Sequence, residues 1–283
     1  MKRMLALVLT LVVALAAVPA LAQDTLGKIK NNGVLTIGTR TGSPPFAYVN
    51  KNNEWVGFSI DLVEVLVKPE VEKAVGRPVK IEKKEATPPT RIPLLSSNAV
   101  DLIAGTMTDT PERRKSVDFS LTFFYTGAQF MVKKGSPIKG IKDIAGKRIA
   151  TQQGSTNENI LREKYPQAQL RAFPDQPAAF QALTQGQVDA FTNDGIQLYG
   201  IKAKAPNPND WDVVGDFYSE EPYGMAMRKG DAKFKAAVDG GLRRGFESGK
   251  YFEIYDKWFG PKGELPYPMT PQVKAYLLKQ IGK

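Results

Sequence analysis

Two threonines and an arginine in the segment GTMTDTPERR (residues 105–114) offer side chains suited to binding chemistry. Thr106 and Thr108 supply hydroxyl donors, and Arg113 supplies a planar guanidinium that can donate two hydrogen bonds to one carboxylate. Pro111 is suited to the first turn of a helix, which would place Arg113 at the start of that helix. These donors indicate a site for a carboxylate group.

Further polar side chains follow other predicted strands. Arg40 follows one strand, Thr156 begins a helix after another, and Asp194 follows a third. Ligands of open α/β sheets bind at the carboxyl ends of strands, against helix N-termini. Each residue alone also suits a plain structural role, such as a helix cap, a surface ion pair or a turn. Together, a guanidinium for a carboxylate and Asp194 for an ammonium describe a site for a free α-amino acid.

Several kinds of catalytic site are disfavoured by the residue types. The chain has no histidine and no cysteine, so it lacks a Ser-His or Cys-His nucleophile pair, the usual zinc ligands and disulfides. Segment 140–147 does not fit a phosphate-binding loop, because Arg148 stands where Ser or Thr should follow the lysine. Glu220 and Glu221 are predicted to lie in a solvated loop, which leaves Asp194 as the only candidate for a buried acid. We therefore predict no enzyme, no cofactor and no metal site.

Two series of alternating strands and helices would position these residues, a pattern typical of parallel sheets covered by helices. In the first series, strands are predicted at 34–39, 78–83 and 100–104, with helices starting near residues 59 and 90. In the second, strands are predicted at 147–152, 170–173 and 188–191, with helices at 155–164 and 177–185. Extended segments 127–134 and 223–229 are predicted to cross between the two units, and the alternative is two ordinary strands of one sheet.

A short internal repeat supports two units of similar architecture. Residues 95–103 (LSSNAVDLI) match residues 183–191 (LTQGQVDAF) at a constant offset. Asn98 and Gly186 coincide, and both residue types tolerate the left-handed conformation that ends a helix. Each copy is predicted to close a helix and enter a buried strand.

The N-terminus has the composition of a secretory signal peptide. Lys2 and Arg3 precede an apolar run over residues 4–18, and residues 20–22 (ALA) fit a cleavage site. The apolar run is shorter than the ~20 residues that a membrane span needs. We expect the mature chain to begin near Gln23 and to be soluble outside the cytoplasm.

The chain is basic, with a formal net charge of +10 that falls to +8 once Lys2 and Arg3 are removed. Its lysines are scattered and show no groove pattern of aromatic and basic residues, so we expect no nucleic-acid partner. A net positive field would help to attract an anionic small molecule.

These motifs together resemble the family 3 periplasmic solute-binding proteins of polar amino-acid ABC transporters. Residues 57–62 (GFSIDL) are similar to the family signature G-F-D-x-D-L. Thr106-x-Thr108-x4-Arg113, followed by residues 117–120 (VDFS), resembles the segment that binds the α-carboxylate and amine. Gly154-Ser-Thr156 and Asp194 match contributions from the family's second lobe. The resemblance runs from about residue 24 to residue 260.

The resemblance implies an α/β fold of the two-lobed periplasmic-binding-protein type (venus flytrap, type II), with two hinge strands and a cleft between the lobes. The implied segments are a signal peptide at 1–22, lobe 1 at 23–130, lobe 2 at 131–226 and a return to lobe 1 at 227–283. The implied protein is a monomer that delivers its ligand to a membrane ABC permease.

The resemblance also implies an acidic ligand, since the glutamate/aspartate-binding branch holds the ligand side chain with arginines. Arg40 and Arg91 match that branch, and Gln176 stands where a histidine is often found. Other branches often use aromatic residues at the positions of Ser43 and Pro88. The ligand-binding residues predicted on these grounds are Arg40, Arg91, Thr106, Thr108, Arg113, Thr156, Gln176 and Asp194.

Three alternatives to glutamate or aspartate binding stay open. The first is the same class of protein with glutamine, asparagine or a broad range of polar amino acids as ligand, which Gln176 would suit. The second is an enzyme on this fold, such as a dehydratase acting on a carboxylated ring, which would need a general acid in the cleft. The third is the ligand domain of a sensor.

Overall fold

The computed structural model describes residues 24–283, so the predicted signal peptide at 1–22 lies outside the described residues. The strands are β1 Val34–Thr39, β2 Gly42–Ser43, β3 Ala47–Val49, β4 Trp55–Val56, β5 Lys80–Glu85, β6 Leu102–Ile103, β7 Val117–Thr126, β8 Ala128–Lys133, β9 Arg148–Gln152, β10 Gln169–Phe173, β11 Ala190–Asp194, β12 Trp211–Val214 and β13 Glu221–Arg228. The helices are α1 Thr25–Asn32, α2 Phe58–Leu62, α3 Lys68–Val75, α4 Arg91–Ser96, α5 Pro111–Arg114, α6 Thr156–Lys164, α7 Gln176–Thr184, α8 Gly195–Lys204, α9 Ala232–Ser248, α10 Lys250–Phe259 and α11 Pro271–Lys279. A π-helical turn, Val63–Val67, joins α2 to α3.

Two five-stranded sheets of the same design form the two lobes. The first sheet has the order β5-β1-β6-β13-β7, and the second has the order β10-β9-β11-β8-β12. In each sheet three strands run parallel, and the next strand in the order is antiparallel to them. The predicted two-lobed α/β fold is confirmed.

The internal repeat lies at the same place in both lobes. Asn98 and Gly186 have left-handed backbone angles, with φ of 59° and 68°. The Asp101 carboxylate accepts a hydrogen bond of 3.1 Å from the Thr36 amide in β1, and the Asp189 carboxylate accepts one of 2.8 Å from the Arg148 amide in β9. In each lobe the repeated aspartate therefore forms a hydrogen bond between the start of one strand and the neighbouring strand: β6 with β1 in the first lobe, and β11 with β9 in the second.

The chain crosses between the lobes at two adjacent places. It leaves β7 for β8 at Gly127, and it returns from β12 to β13 through residues 215–220. A Cβ atom on Gly127 would lie 2.4 Å from Cγ of Phe217, so the two crossings touch at a position that requires glycine. Most of the predicted crossing segments, 127–134 and 223–229, belong to the strands β8 and β13. The crossings themselves lie immediately before these two strands. The predicted lobe bounds at 130/131 and 226/227 stay predictions.

A C-terminal segment after α10 also contacts both lobes. The Glu264 carboxylate accepts a hydrogen bond of 2.5 Å from the Tyr48 hydroxyl in β3 of the first lobe. It also pairs at 2.5 Å with Lys204 in α8 of the second lobe. The rings of Tyr199 in α8 and Tyr267 lie 6.1 Å apart. We call residues 260–267 the C-terminal strap.

The aromatic residues of α10 pack in the core of the first lobe. Tyr251 and Phe259 are fully buried there, against Phe58 of α2. Over residues 24–283, no helix is both long enough and apolar enough to cross a bilayer.

Candidate ligand-binding cleft

A polar cleft lies between the lobes at the carboxyl ends of their parallel strands. It is lined by Arg40, Pro88, Arg91, Thr106, Thr108, Arg113, Gln152, Ser155, Thr156, Asn157, Asn193, Asp194 and Gln197. Seven of the eight predicted binding residues are in this lining. The eighth, Gln176, lies directly behind it and donates a hydrogen bond to the Gln197 side chain. The space open to a water-sized sphere is about 20 Å³, about enough for one water molecule.

Local capping explains how three of these side chains are held. Thr110 caps the short helix α5 by accepting from the Arg113 amide at 3.2 Å. Ser155 caps α6, whose first residue is Thr156, and Asp175 caps α7, whose first residue is Gln176. Each cap satisfies a helix N–H that would otherwise lack a partner. The predicted binding residues at these helix starts are therefore tied to helices.

Three arginines converge on the cleft, although two of them are almost fully buried. Arg40 and Arg91 are 4% and 5% exposed. Arg91 donates to the backbone oxygen of Thr106 at 3.3 Å, and Arg113 donates to that of Thr108 at 2.8 Å. Burial lowers the pKa of Arg40 to about 10. Burial is also the largest cause of the lowered pKa of Arg91, and the positive charges of Arg113 and Arg40 lower it further. The charges of Glu85 and Asp175 oppose this lowering at Arg40, and that of Asp194 opposes it at Arg91.

Asp194 is the acid that the second lobe contributes to the cleft. Its carboxylate accepts hydrogen bonds of 2.9 Å from Asn157 and from Gln197, and a further one from the Tyr223 hydroxyl. Burial raises the pKa of Asp194, while these three hydrogen bonds and Arg113 act to lower it. The carboxylate is thus oriented by three neutral donors.

Glu221 is a second buried acid, and the prediction that it is solvated is wrong. It is 1% exposed, whereas its neighbour Glu220 is exposed. Its carboxylate accepts hydrogen bonds from Thr108 at 2.5 Å, from Thr156 at 2.9 Å and from Ser219 at 2.6 Å. Burial and the nearby charge of Asp194 raise the pKa of Glu221 to about 7. The expectation that Asp194 is the only buried acid of the cleft is therefore wrong as well.

Several buried polar atoms at the cleft have no hydrogen-bond partner among residues 24–283. Three of them are donors: Nε of Arg40, Nε of Arg91 and Nδ2 of Asn193. One is an acceptor, Oε1 of Gln176. Buried polar groups are nearly always hydrogen-bonded, so these three donors and one acceptor are available to bond to a ligand.

Sequence reasoning missed the amides that connect the charged residues. Gln197 donates to Asp194 and to Tyr223, both at 2.9 Å, and accepts from Thr106 of the other lobe at 3.3 Å. Gln197 is the third residue of α8, and Asp194 directly precedes that helix as its N-cap, so the two side chains lie in the same first turn. That spacing is a signal that could have identified Gln197. Asn157 directly follows the predicted residue Thr156.

Ser43 and Pro88, the positions predicted to replace aromatic residues of other branches, lie in different places. Pro88 lines the cleft, whereas Ser43 is fully buried outside the lining.

Within the described part of the chain, no group of three or more acidic residues is arranged to hold a metal ion. The cleft is therefore built from guanidinium, hydroxyl, amide and carboxylate groups.

Comparison with known proteins agrees with this architecture. Residues 35–261 match the bacterial extracellular solute-binding proteins, family 3. The chain is 37% identical over 287 residues to an L-glutamate/L-aspartate-binding protein of Pseudomonas aeruginosa, covering 96% of this chain and 95% of that protein. It is also 37% identical over 238 residues to an ABC transporter glutamine-binding protein of Bacillus subtilis, covering 83% and 85%.

A solved structure extends the comparison to the fold. An ancestral arginine-binding protein bound to glutamine has 36% sequence identity and a TM-score of 0.74, covering 81% of this chain and 98% of that one. The relatives are solute-binding proteins, so the prediction that the chain is not an enzyme is confirmed. Because the match spans most of its length, this chain belongs to the bacterial extracellular solute-binding proteins, family 3.

Proposed function

We propose that this protein binds an acidic L-amino acid, glutamate or aspartate, in the interlobe cleft and delivers it to a membrane ABC permease. The observation that carries the proposal is the convergence of three arginines on a cleft whose lining, within the described residues, includes one carboxylate, Asp194, while Glu221 bonds to two of the lining threonines. The periplasmic location and the monomeric state stay predictions.

The amino-acid backbone of the ligand would be held by groups from both lobes. Arg113, Thr108 and Thr156 would bind the α-carboxylate, with Thr106 beside them, and Asp194 would pair with the ammonium. Within residues 24–283, Arg113 donates one of its five N–H groups, to Thr108, so other donors remain for a carboxylate. This part of the site would bind any α-amino acid.

The side-chain carboxylate would be held by Arg40 and Arg91, with Gln176 nearby. Both arginines have a buried Nε without a partner among the described residues. An ionised ligand oxygen would satisfy such donors with charge-assisted hydrogen bonds. These two arginines would therefore select for an acidic side chain.

Charge balance supports an anionic ligand. The three guanidinium groups of the lining, Asp194 and the adjacent Glu221 sum to +1 when both acids are ionised, and Glu85 and Asp175 oppose the charge of Arg40 from outside the lining. Glutamate and aspartate carry a net charge of −1, whereas glutamine and asparagine are neutral. Because uncompensated buried charge is costly, the acidic amino acids fit this cleft better.

Glutamine is the second candidate, and one observation favours it. The acceptor Oε1 of Gln176 is buried without a partner in the part of the chain that the structure describes, and an amide NH2 on the ligand would satisfy it. A relative from Bacillus subtilis is a glutamine-binding protein. Glutamine would, however, leave the two buried Nε donors competing for a single amide oxygen.

Binding requires the lobes to separate and close again. With space for about one water molecule, the cleft as described does not accommodate an amino acid. Closure of two domains around a ligand by bending at a hinge is a common mechanism of binding proteins. The crossings at Gly127 and residues 215–220 would form that hinge.

Calorimetric titration with glutamate, aspartate, glutamine, asparagine and neutral amino acids tests the proposal, with recovery of the unchanged ligand as a check against catalysis. Arg91→Ala is expected to weaken glutamate binding by about 10- to 150-fold, because a charged hydrogen bond contributes about 1.5–3 kcal/mol. It should affect neutral amino acids far less.

The matched control is Arg114→Ala. Arg114 is exposed and pairs with Asp109 outside the cleft lining, so glutamate affinity should not change. Intact glutamate binding in Arg91→Ala would contradict the acidic-ligand proposal, and preferential binding of glutamine by the wild-type protein would favour the second candidate.

A further inference from the structure

Glu221 connects the two lobes through hydroxyl groups that the ligand also needs. It is the first residue of β13, directly after the second crossing. A single oxygen, Oε2, accepts from Thr108 of the first lobe at 2.5 Å and from Thr156 of the second lobe at 2.9 Å. The other oxygen accepts from Ser219 at 2.6 Å. One carboxylate thus lies at the centre of a hydrogen-bond bridge between the lobes.

The same two threonines are assigned to the ligand α-carboxylate under the proposed function. A threonine hydroxyl has one proton to donate. Thr108 and Thr156 therefore cannot donate to Glu221 and to a ligand carboxylate at the same time. A bound ligand must take over these donors, and Glu221 would then lose two of its three hydrogen bonds while it stays close to a second anion.

We propose that Glu221 occupies the hydrogen-bonding position of the ligand α-carboxylate, and that ligand binding transfers Thr108 and Thr156 to the ligand while Glu221 takes up one proton. This inference rests on the proposed function, because it needs a ligand with an α-carboxylate at these threonines. Once protonated, the Glu221 carboxyl becomes a donor and can bond to the ligand oxygen that displaced it.

The charged and titratable groups around Glu221 favour this proton uptake. Burial and Asp194 of β11 already raise the pKa of Glu221 to about 7. Tyr218 and Tyr223 stay protonated, because burial raises the pKa of both hydroxyls. Arg113 of α5 is the facing cation, and a ligand carboxylate would bind it. The ligand ammonium would neutralise the charge of Asp194. The anion closest to Glu221 in the complex would then be the ligand α-carboxylate.

The sign of the pH dependence follows from these groups. Below pH 7 the Glu221 carboxyl is largely protonated before binding, so little proton is taken up. Above pH 7 the free protein is ionised at Glu221 and the complex is not, so each ligand binds with close to one proton. Glutamate affinity should then fall by about tenfold per pH unit above pH 7, until the pKa of the complex is reached.

Calorimetry of glutamate binding in buffers of different ionisation enthalpy measures the number of protons taken up. For the wild-type protein we expect little proton uptake at pH 6 and uptake approaching one proton at pH 8 and above. Glu221→Gln should bind glutamate without proton uptake and with the same affinity at both pH values. Glu220→Gln, which changes the exposed neighbouring acid, is the matched control and should retain the wild-type proton uptake.

The outcomes separate the two proposals. Wild-type binding without proton uptake at pH 8 would overturn the role of Glu221 and leave the proposed function intact. Proton uptake that persists in Glu221→Gln would place the proton on another group and would also overturn it. Failure of the wild-type protein to bind any amino acid would refute the proposed function and, with it, this inference. The wild-type measurement keeps the test decisive even if Glu221→Gln does not fold.

Discussion

At the scale of single residues, the cleft is dominated by buried charges that are only partly neutralised. Arg40 and Arg91 each keep a buried donor without a partner within residues 24–283, and burial lowers the pKa of both. Such an arrangement is costly unless a ligand completes it.

Replacing Arg113 should affect every amino-acid ligand, in contrast to replacing Arg91. Arg113→Ala removes the guanidinium assigned to the α-carboxylate, and we expect affinities for acidic and neutral amino acids to fall alike, by at least tenfold, since charged hydrogen bonds contribute about 1.5–3 kcal/mol each. Calorimetric titration of the variant with glutamate and glutamine checks this. A loss confined to glutamate would contradict the assignment of Arg113 to the α-carboxylate.

At the scale of elements, a helix of the second lobe approaches a loop of the first at a glycine. A Cβ atom on Gly200 of α8 would lie 2.1 Å from the backbone oxygen of Pro44. Contact at this distance cannot be relieved by a side-chain rotation, because the atom belongs to the backbone. Gly200 therefore permits the close approach of the two lobes seen in this structure.

Gly200→Ala should weaken ligand binding without loosening the second lobe itself. Alanine favours a helix over glycine by about 1 kcal/mol, so α8 should not be destabilised locally, but the added methyl group opposes the contact with Pro44. We expect lower glutamate affinity and an unchanged or higher melting temperature for the second lobe. Calorimetric titration measures the glutamate affinity, and thermal unfolding measures the melting temperature.

The matched control for this change is Gly240→Ala in α9. The nearest atom to a Cβ at Gly240, outside its own helix backbone, is an oxygen of Glu70 at 3.7 Å. That variant should bind glutamate as the wild type does. Equal affinity in Gly200→Ala and Gly240→Ala would mean that the approach of α8 to Pro44 does not matter for binding.

At the scale of the whole molecule, the lobes are connected by more than the two crossings. The C-terminal strap lies at and beyond the end of the segment that matches the family, residues 35–261. Its Glu264 carboxylate bonds to Tyr48 of the first lobe and Lys204 of the second. The strap thus favours the arrangement in which the lobes are in contact.

Glu264→Gln should shift the ligand-free protein towards a more open arrangement. Exposed ion pairs contribute about 0.2–1 kcal/mol, and Lys204 is half exposed, so the change in glutamate affinity should be at most about fivefold. Small-angle X-ray scattering should show a larger radius of gyration without ligand. Glu253→Gln, in the exposed Lys250–Glu253 pair of α10, should leave the scattering unchanged, and an unchanged radius in Glu264→Gln would contradict a role of the strap.

The sequence by itself determined the two-lobed fold and most of the lining of the cleft. Arg40, Thr156 and Asp194 follow strands or begin helices, and the carboxyl ends of parallel strands meet at one edge of a sheet. Local patterns are enough to place such residues near one another. The repeated segments that contain Asn98 and Gly186 likewise predict two similar lobes, because each segment closes a helix and enters a strand.

Only the tertiary structure decided the surroundings of Glu221. Its three hydrogen-bond donors include Thr108 and Thr156, which lie 113 and 65 residues away along the chain. Nothing in the local sequence distinguishes Glu221 from the exposed Glu220. Whether a carboxylate is buried depends on donors that only folding brings to it, and for this reason the second acid of the cleft could not be predicted from sequence.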